Sequence, residues 1–299
     1  MIASDVAAPD ARAEHRRGQL LVALAATAWS TAGLLQRELT IDVPTQVGGR
    51  AAFAFVALLA YLAATERRRV WPTFVAVGRA GLGVAVCLAV ASGMFIVSLN
   101  HTSVAHVLFV QAASPVAAAL LGTVLLAEPV SRRAWAAMAG ALAGVGVMMG
   151  SPGGGALTGD VTSLVMMLAF AVVIVITRRR KDVSMAPAFC LAQLLLVLVT
   201  APLADPGQIG GRDLLLLSLI GAGQMGLAMM LFTSGARLIP AADAALITLL
   251  EVFLGPLWVW IALAEQPDAA TLAGGAIVVA AVTLQVTAAP AERAVPPEV

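Results

Sequence analysis

Glu251 stands in the run AALITLLEVFLGPLWVWIALAEQ, residues 244–266, where it is the only charge and Thr248 the only hydroxyl as far as Ala264. A carboxylate in such surroundings is cut off from water. The chemistry open to it is to hold a cation, such as a substrate's ammonium group, or to exchange a proton. The spacing 244, 248, 251 places Thr248 on the same helix face as Glu251. The competing role is packing, with a protonated or hydrogen-bonded glutamic acid filling a helix interface.

Other side chains offer complementary chemistry. Arg50, in QVGGR, lies some way into its apolar segment, about 10 Å from the outer end at a rise of 1.5 Å per residue. A guanidinium there can grip a carboxylate through two parallel hydrogen bonds, or its long stem can carry the charge back to the interface. His106 is an imidazole suited to carrying a proton near neutral pH. Asp243, near the start of its helix, is a second proton-coupling candidate and equally suits a helix N-terminus. Gln224 in GAGQMGLAMM and Trp29 in TAWSTAG sit among small residues, which fits a cavity wall or a close helix contact. The indole could also stack on an apolar or aromatic substrate. Glu128 and Glu265 end their helices, where solvated or capping roles are expected.

Positioning these groups takes a membrane bundle. Of the 299 residues 60% are hydrophobic and 12% charged, against about 45 to 50% and about 25% in soluble domains. That excess must face lipid. A bilayer core of roughly 30 Å takes about 20 apolar residues per helix. The predicted spans are 18–36, 44–64, 76–99, 102–127, 133–150, 158–178, 185–204, 213–236, 240–263 and 269–288, which makes an all-α protein of ten transmembrane helices. With the N-terminus inside, 15 of the 18 basic residues fall in cytoplasmic segments, and only Arg37 and Arg212 fall in outer loops. Arg50 is the one left within a span. This asymmetry predicts both termini in the cytoplasm. Arg16-Arg17 before the first span, without a cleavage pattern, predicts a retained N-terminus.

The chain also repeats itself. Shifted by 137 residues, ASGMFIVSLNHTSVAHVLFVQAASPVAAALLGTVLLAE (91–128) lies over AMMLFTSGARLIPAADAALITLLEVFLGPLWVWIALAE (228–265) without a gap. Glu251 then meets Ser114, Thr248 meets Gln111, and Asp243 meets His106. Gln111 and Ser114 therefore join Glu251 and Thr248 as candidate lining of a polar cavity. Five helices per copy is an odd number, so the second copy crosses the membrane in the opposite sense. The expected organisation is a tail (1–17), one five-helix repeat (18–150), an outer linker (151–157), an inverted second repeat (158–288) and a tail (289–299). Inverted repeats place a site at the midplane between halves that can rock, the plan of a secondary transporter. Glycines 140, 144, 146 and 150 predict close packing of the fifth helix, on the tenth.

The duplicated signature resembles the drug/metabolite transporter superfamily, in particular its ten-helix EamA-type exporters. It consists of Ser103 or Pro240 opening the helix, ASPV or LEV at its middle, and AEP or AEQP at its close. TAWSTAGLLQREL is similar to the family's Trp-containing first helix, and the likeness runs over about 18–288. The second copy departs from the family's Leu-Glu-Pro: Val252 follows Glu251 and the proline comes at Pro256, so Pro115 and Pro256 are the expected hinges. The resemblance implies an exporter of amino acids, their derivatives or other small metabolites in a bacterial inner membrane, working without ATP and drawing on a proton gradient where transport is uphill.

Competing classes fit less well. Nucleotide sugars or lipid-linked phosphates would call for several basic groups in the cavity, where Arg50 stands alone. A membrane-embedded enzyme needs a matched set such as H-E-x-x-H or Ser, His and acid, and His15, His101 and His106 supply no such spacing. A receptor makes no direct use of an inverted duplication. GGG at 153–155 lacks the Lys-Ser/Thr of a nucleotide loop, and Cys87 and Cys190 lack metal-ligand spacing, so no cofactor, metal or catalytic group is expected. The expected partners are a small-molecule substrate and the lipid bilayer, with no nucleic acid and a monomer or homodimer as the assembly.

Overall fold

A computed structural model describes residues 7–66, 70–126, 132–149, 157–180, 183–239 and 241–288. Glu128, Pro240, the tail beyond residue 288 and all of the expected linker except Leu157 lie outside the described residues. The described chain is helical, with no strand among these residues. Its α-helices are α1 (Ala7–Ser30), α2 (Ala32–Arg37), α3 (Val43–Glu66), α4 (Val70–Ala76), α5 (Gly78–Leu99), α6 (Val104–Ala112), α7 (Ser114–Leu126), α8 (Arg132–Met149), α9 (Leu157–Arg179), α10 (Ala186–Thr200), α11 (Gly211–Ser218), α12 (Ala228–Ala236), α13 (Ala241–Leu263) and α14 (Ala269–Ala288). A π-helical turn, Leu219–Leu227, joins α11 to α12.

Among the described residues six stretches are long and apolar enough to cross a membrane: Ala13–Arg37, Val43–Glu66, Gly78–Leu99, Val104–Gly122, Leu157–Thr177 and Gly211–Ala236. Four shorter apolar helices accompany them, Trp135–Met148, Ala186–Thr200, Ile247–Leu263 and Ala269–Leu284. The first helix begins at Ala7 rather than near 18, because the Ala, Arg and Glu residues of its polar lead favour helix and extend it beyond the apolar part.

Packing partners are exchanged between the halves. Helix α1 packs on α12 and α13, while α9 packs on α5 and α7; α3 packs on the π turn, while α10 packs on α5. Three pairs bridge equivalent elements, α3 with α10, α6 with α13 and α8 with α14. If α9 corresponds to α1, α10 to α3, α11–α12 to α5, α13 to α6–α7 and α14 to α8, each of the contacts just named maps onto another or onto itself. Glycines allow these close approaches. Gly144 of α8 meets the backbone of Gly274 in α14, whereas Gly146 faces open space. Gly255 of α13 lies against Leu108 of α6 and the Ser30 carbonyl of α1, drawing three helices to one point.

Two predicted spans are not continuous. The first is interrupted at Thr31 and the fourth at Ala113. At the second of these breaks the cause is local. Pro115 has no N–H to offer the carbonyl four residues back, and the Ser114 hydroxyl donates to that carbonyl, Gln111 O, at 2.6 Å instead. Helix α13, by contrast, runs uninterrupted through Pro256.

Candidate functional site

The contact of Leu108 with Gly255 sets the register of α6 and α13, which run in opposite directions. One turn further along, the rise per residue brings Gln111 level with Glu251. Glu251, Thr248 and Gln111 are partly buried and Ser114 is fully buried. The Ser114 hydroxyl is spent on the helix break, so in this state it turns along its own helix. Glu251 has Val252 beside it in the core shared by α6, α7, α8, α9 and α14, and Ala244, two turns back, packs on Val22 of α1.

Trp29 and Gln224, predicted separately, hold each other. The Gln224 carboxamide donates to Ala28 O at 3.1 Å and Trp29 O at 3.0 Å, and the Trp29 indole N–H donates to Gln224 O at 3.1 Å. Those two α1 carbonyls lose helical donors at the Thr31 break, and in lipid they must find others. The π turn brings Gln224 to this place. Phe232 packs on the Trp29 ring with 5.3 Å between centroids, and Trp258 donates to Ser30 Oγ at 2.9 Å, so α1, α12 and α13 all meet at the break.

Arg50 does not reach back to an interface. It is 4% exposed, its Nη2 donates to Ser92 Oγ at 3.2 Å, and its guanidinium lies 5.7 Å from the centre of the Phe95 ring. Its Nε and Nη1 have no partner, and no carboxylate pairs with it among the described residues. One turn away on α3, Gln46 Oε1 accepts from Gln36 Nε2 at 2.6 Å and from Asn100 Nδ2 at 2.9 Å, and its Nε2 donates to Ile41 O at 2.8 Å. This belt of carboxamides was not singled out in the sequence, where isolated Gln and Asn residues carry no pattern.

The two ends of the bundle are closed by different means. At the end away from the N-terminus, Arg37 Nε pairs with Glu265 Oε2 at 3.1 Å, and Nη2 donates to Thr102 O at 2.7 Å. Glu265 Oε1 also accepts from the Val104 N–H at 3.0 Å, so it caps α6 rather than its own helix. Beside them His106, 1% exposed, lies with Nε2 3.1 Å from Asp160 Oδ1 of α9, a close polar contact without hydrogen-bond alignment. Arg212 pairs with Glu38, and Asp213 accepts from Thr40 N at 3.0 Å. At the N-terminal end, Gly18 and Gly235 bring α1 and α12 into backbone contact, and Val22, Ile239 and Ala244 pack together. Asp243 there sits 3.6 Å from His15, both about 40% exposed. His106 and Asp243 are repeat mates, and each pairs with a residue near the start of the other half's first helix, Asp160 or His15. The sequence offered no sign of these partners. No group of three metal-ligating side chains converges among the described residues, and both cysteines are free.

Apolar helices of spanning length, related halves and buried charge at helix interfaces define a multi-pass membrane protein. The sequence matches the EamA-like transporter family over residues 16–150 and again over 157–287, and the chain therefore belongs to that family of membrane transporters. A solved structure described as "Crystal structure of protein" shares the fold with a TM-score of 0.60, at 21% sequence identity, covering 91% of this chain and 97% of that one. No curated protein matches the chain.

Proposed function

We propose that the protein is a secondary active transporter that exports amino acids or similar small metabolites from the cytoplasm by alternating access. The reading takes ten spans, with the six longer stretches and the four shorter apolar helices as its members, both termini inside, and a bacterial inner membrane. On this topology the end with Arg37 and Glu265 faces outward and the end with Gly18 and Gly235 faces the cytoplasm. The observation that carries the reading is the position of Glu251. It stands between the two closures, at the level where α6 is broken and one turn from the glycine where α1, α6 and α13 meet.

In this account Glu251, Thr248 and Gln111 line the cargo path, with Trp29 as its apolar wall, and Ser114 joins them when the α6–α7 break moves. Glu251 holds the ammonium group of the cargo or exchanges a proton for it. His106 and Asp243 open and close the two ends, and Pro115 and Pro256 supply the bends. Counterflow in proteoliposomes with a panel of labelled amino acids, with and without a pH gradient, tests the reading. Accumulation of label is expected; no counterflow with any amino acid would turn the argument toward larger cargo.

A further inference from the structure

Among the described residues Arg50 is a cation with no counter-ion. Burying a guanidinium costs several kcal/mol unless an anion and hydrogen bonds compensate, and here one hydroxyl and one aromatic face are its whole company. Those contacts orient the fork without neutralising it. Two acids of the same end are already engaged, Glu38 by Arg212 and Glu265 by Arg37. The carboxamide belt fixes the same face of α3 one turn away, so the fork is held on a supported surface rather than a loose one.

We infer that Arg50, oriented by Ser92 and Phe95, is the subsite that receives the carboxylate of the cargo. Nη2 carries two N–H groups, of which Ser92 takes one; the other, with the unpartnered Nε or Nη1 beside it, presents the parallel pair that matches the two oxygens of a carboxylate. A single cation suits a monoanion. A phosphate dianion asks for more positive charge, and the two other arginines at this end are already paired. The guanidinium nitrogens are closed off in the present state, so the anion enters only when α3 and α5 part around them. This subsite rests on the transport reading for its cargo, but it is tested by binding alone.

The probes are matched sets, L-leucine with L-leucinamide and isopentylamine and L-phenylalanine with its amide and phenethylamine, together with inorganic phosphate. They are added to the purified full chain in nanodiscs while thermal unfolding is followed. The acids are expected to raise the midpoint by about 2 °C or more, and the amides, amines and phosphate are not. Arg50→Gln should weaken acid binding about tenfold or more, and Arg50→Lys less, because it keeps the charge but not the fork. If Arg50→Gln does not fold, Ser92→Ala, which leaves the cation in place and removes its orienting hydroxyl, should weaken acid binding about threefold. Equal stabilisation by acid and amide, no stabilisation by either acid, or undiminished acid binding in the variants would each overturn the inference. Phosphate as the one stabilising probe would replace the carboxylate with a phosphorylated cargo. Acid binding without counterflow would leave the subsite standing and remove the transport reading instead.

Discussion

The two ends of this bundle are built from equivalent helices yet held by unlike forces. The end away from the N-terminus is cross-linked by polar contacts: Arg37 joins Glu265, Thr102 and, through Glu265, the start of α6, and His106 with Asp160 lies almost out of water. The N-terminal end is held by shape, with two glycine backbones in contact, a small apolar cluster and a His15–Asp243 pair that is open to solvent. Removing one partner of a buried polar pair leaves the other unsatisfied, whereas a tight glycine seam is disturbed by added volume. The difference teaches that the two ends fail to different substitutions: the first is a latch, the second a seam.

The largest expected effect comes from emptying the buried latch. His106→Ala removes a fully buried ring and leaves Asp160 without its partner, for an expected loss of about 2 to 4 kcal/mol. In a background without Cys87 and Cys190, a cysteine placed at Thr102 should then react faster with an impermeant maleimide. Gly235→Leu attacks the seam by wedging α1 from α12, at about 1 to 3 kcal/mol. Its signature is faster labelling at the N-terminal end only. Arg37→Gln keeps much of the side chain's length but drops its charge, and should cost about 1 to 2 kcal/mol, since the pair is about a quarter exposed. The smallest effect belongs to His15→Ala, under about 0.5 kcal/mol in thermal unfolding, because its pair with Asp243 is exposed and long. A His15 variant as damaging as the His106 variant would erase the contrast between the ends.

Sequence reasoning reached the parts of this fold that are governed by the solvent and the bare backbone. Apolar lengths located helices, the 137-residue shift related the halves, and Pro115, lacking an N–H, marked the neighbourhood of the α6–α7 break. The shift also paired Glu251 with Ser114 and Thr248 with Gln111, which singled out the facing stretches of α6 and α13. The break at Thr31 was not singled out. Thr31 bonds the Ala28 carbonyl through both its N–H and its hydroxyl, and Gln224, nearly two hundred residues away, adds donors to the Ala28 and Trp29 carbonyls from a π turn that has no composition of its own. Glu265 was read as a residue closing its own helix and Asp160 was not singled out; their partners lie on other helices and are chosen by tertiary packing. Arg50 was left between two orientations, and only the contacts with Ser92 and Phe95 decide for the inward one.

The central claim is that cargo crosses past Glu251. Counterflow of labelled amino acid into proteoliposomes, measured side by side for the wild-type chain and Glu251→Gln at equal amounts of folded protein, tests it most directly. The account predicts accumulation of label in the wild type and its loss in the variant, with thermal unfolding little changed. Equal counterflow in both would contradict it.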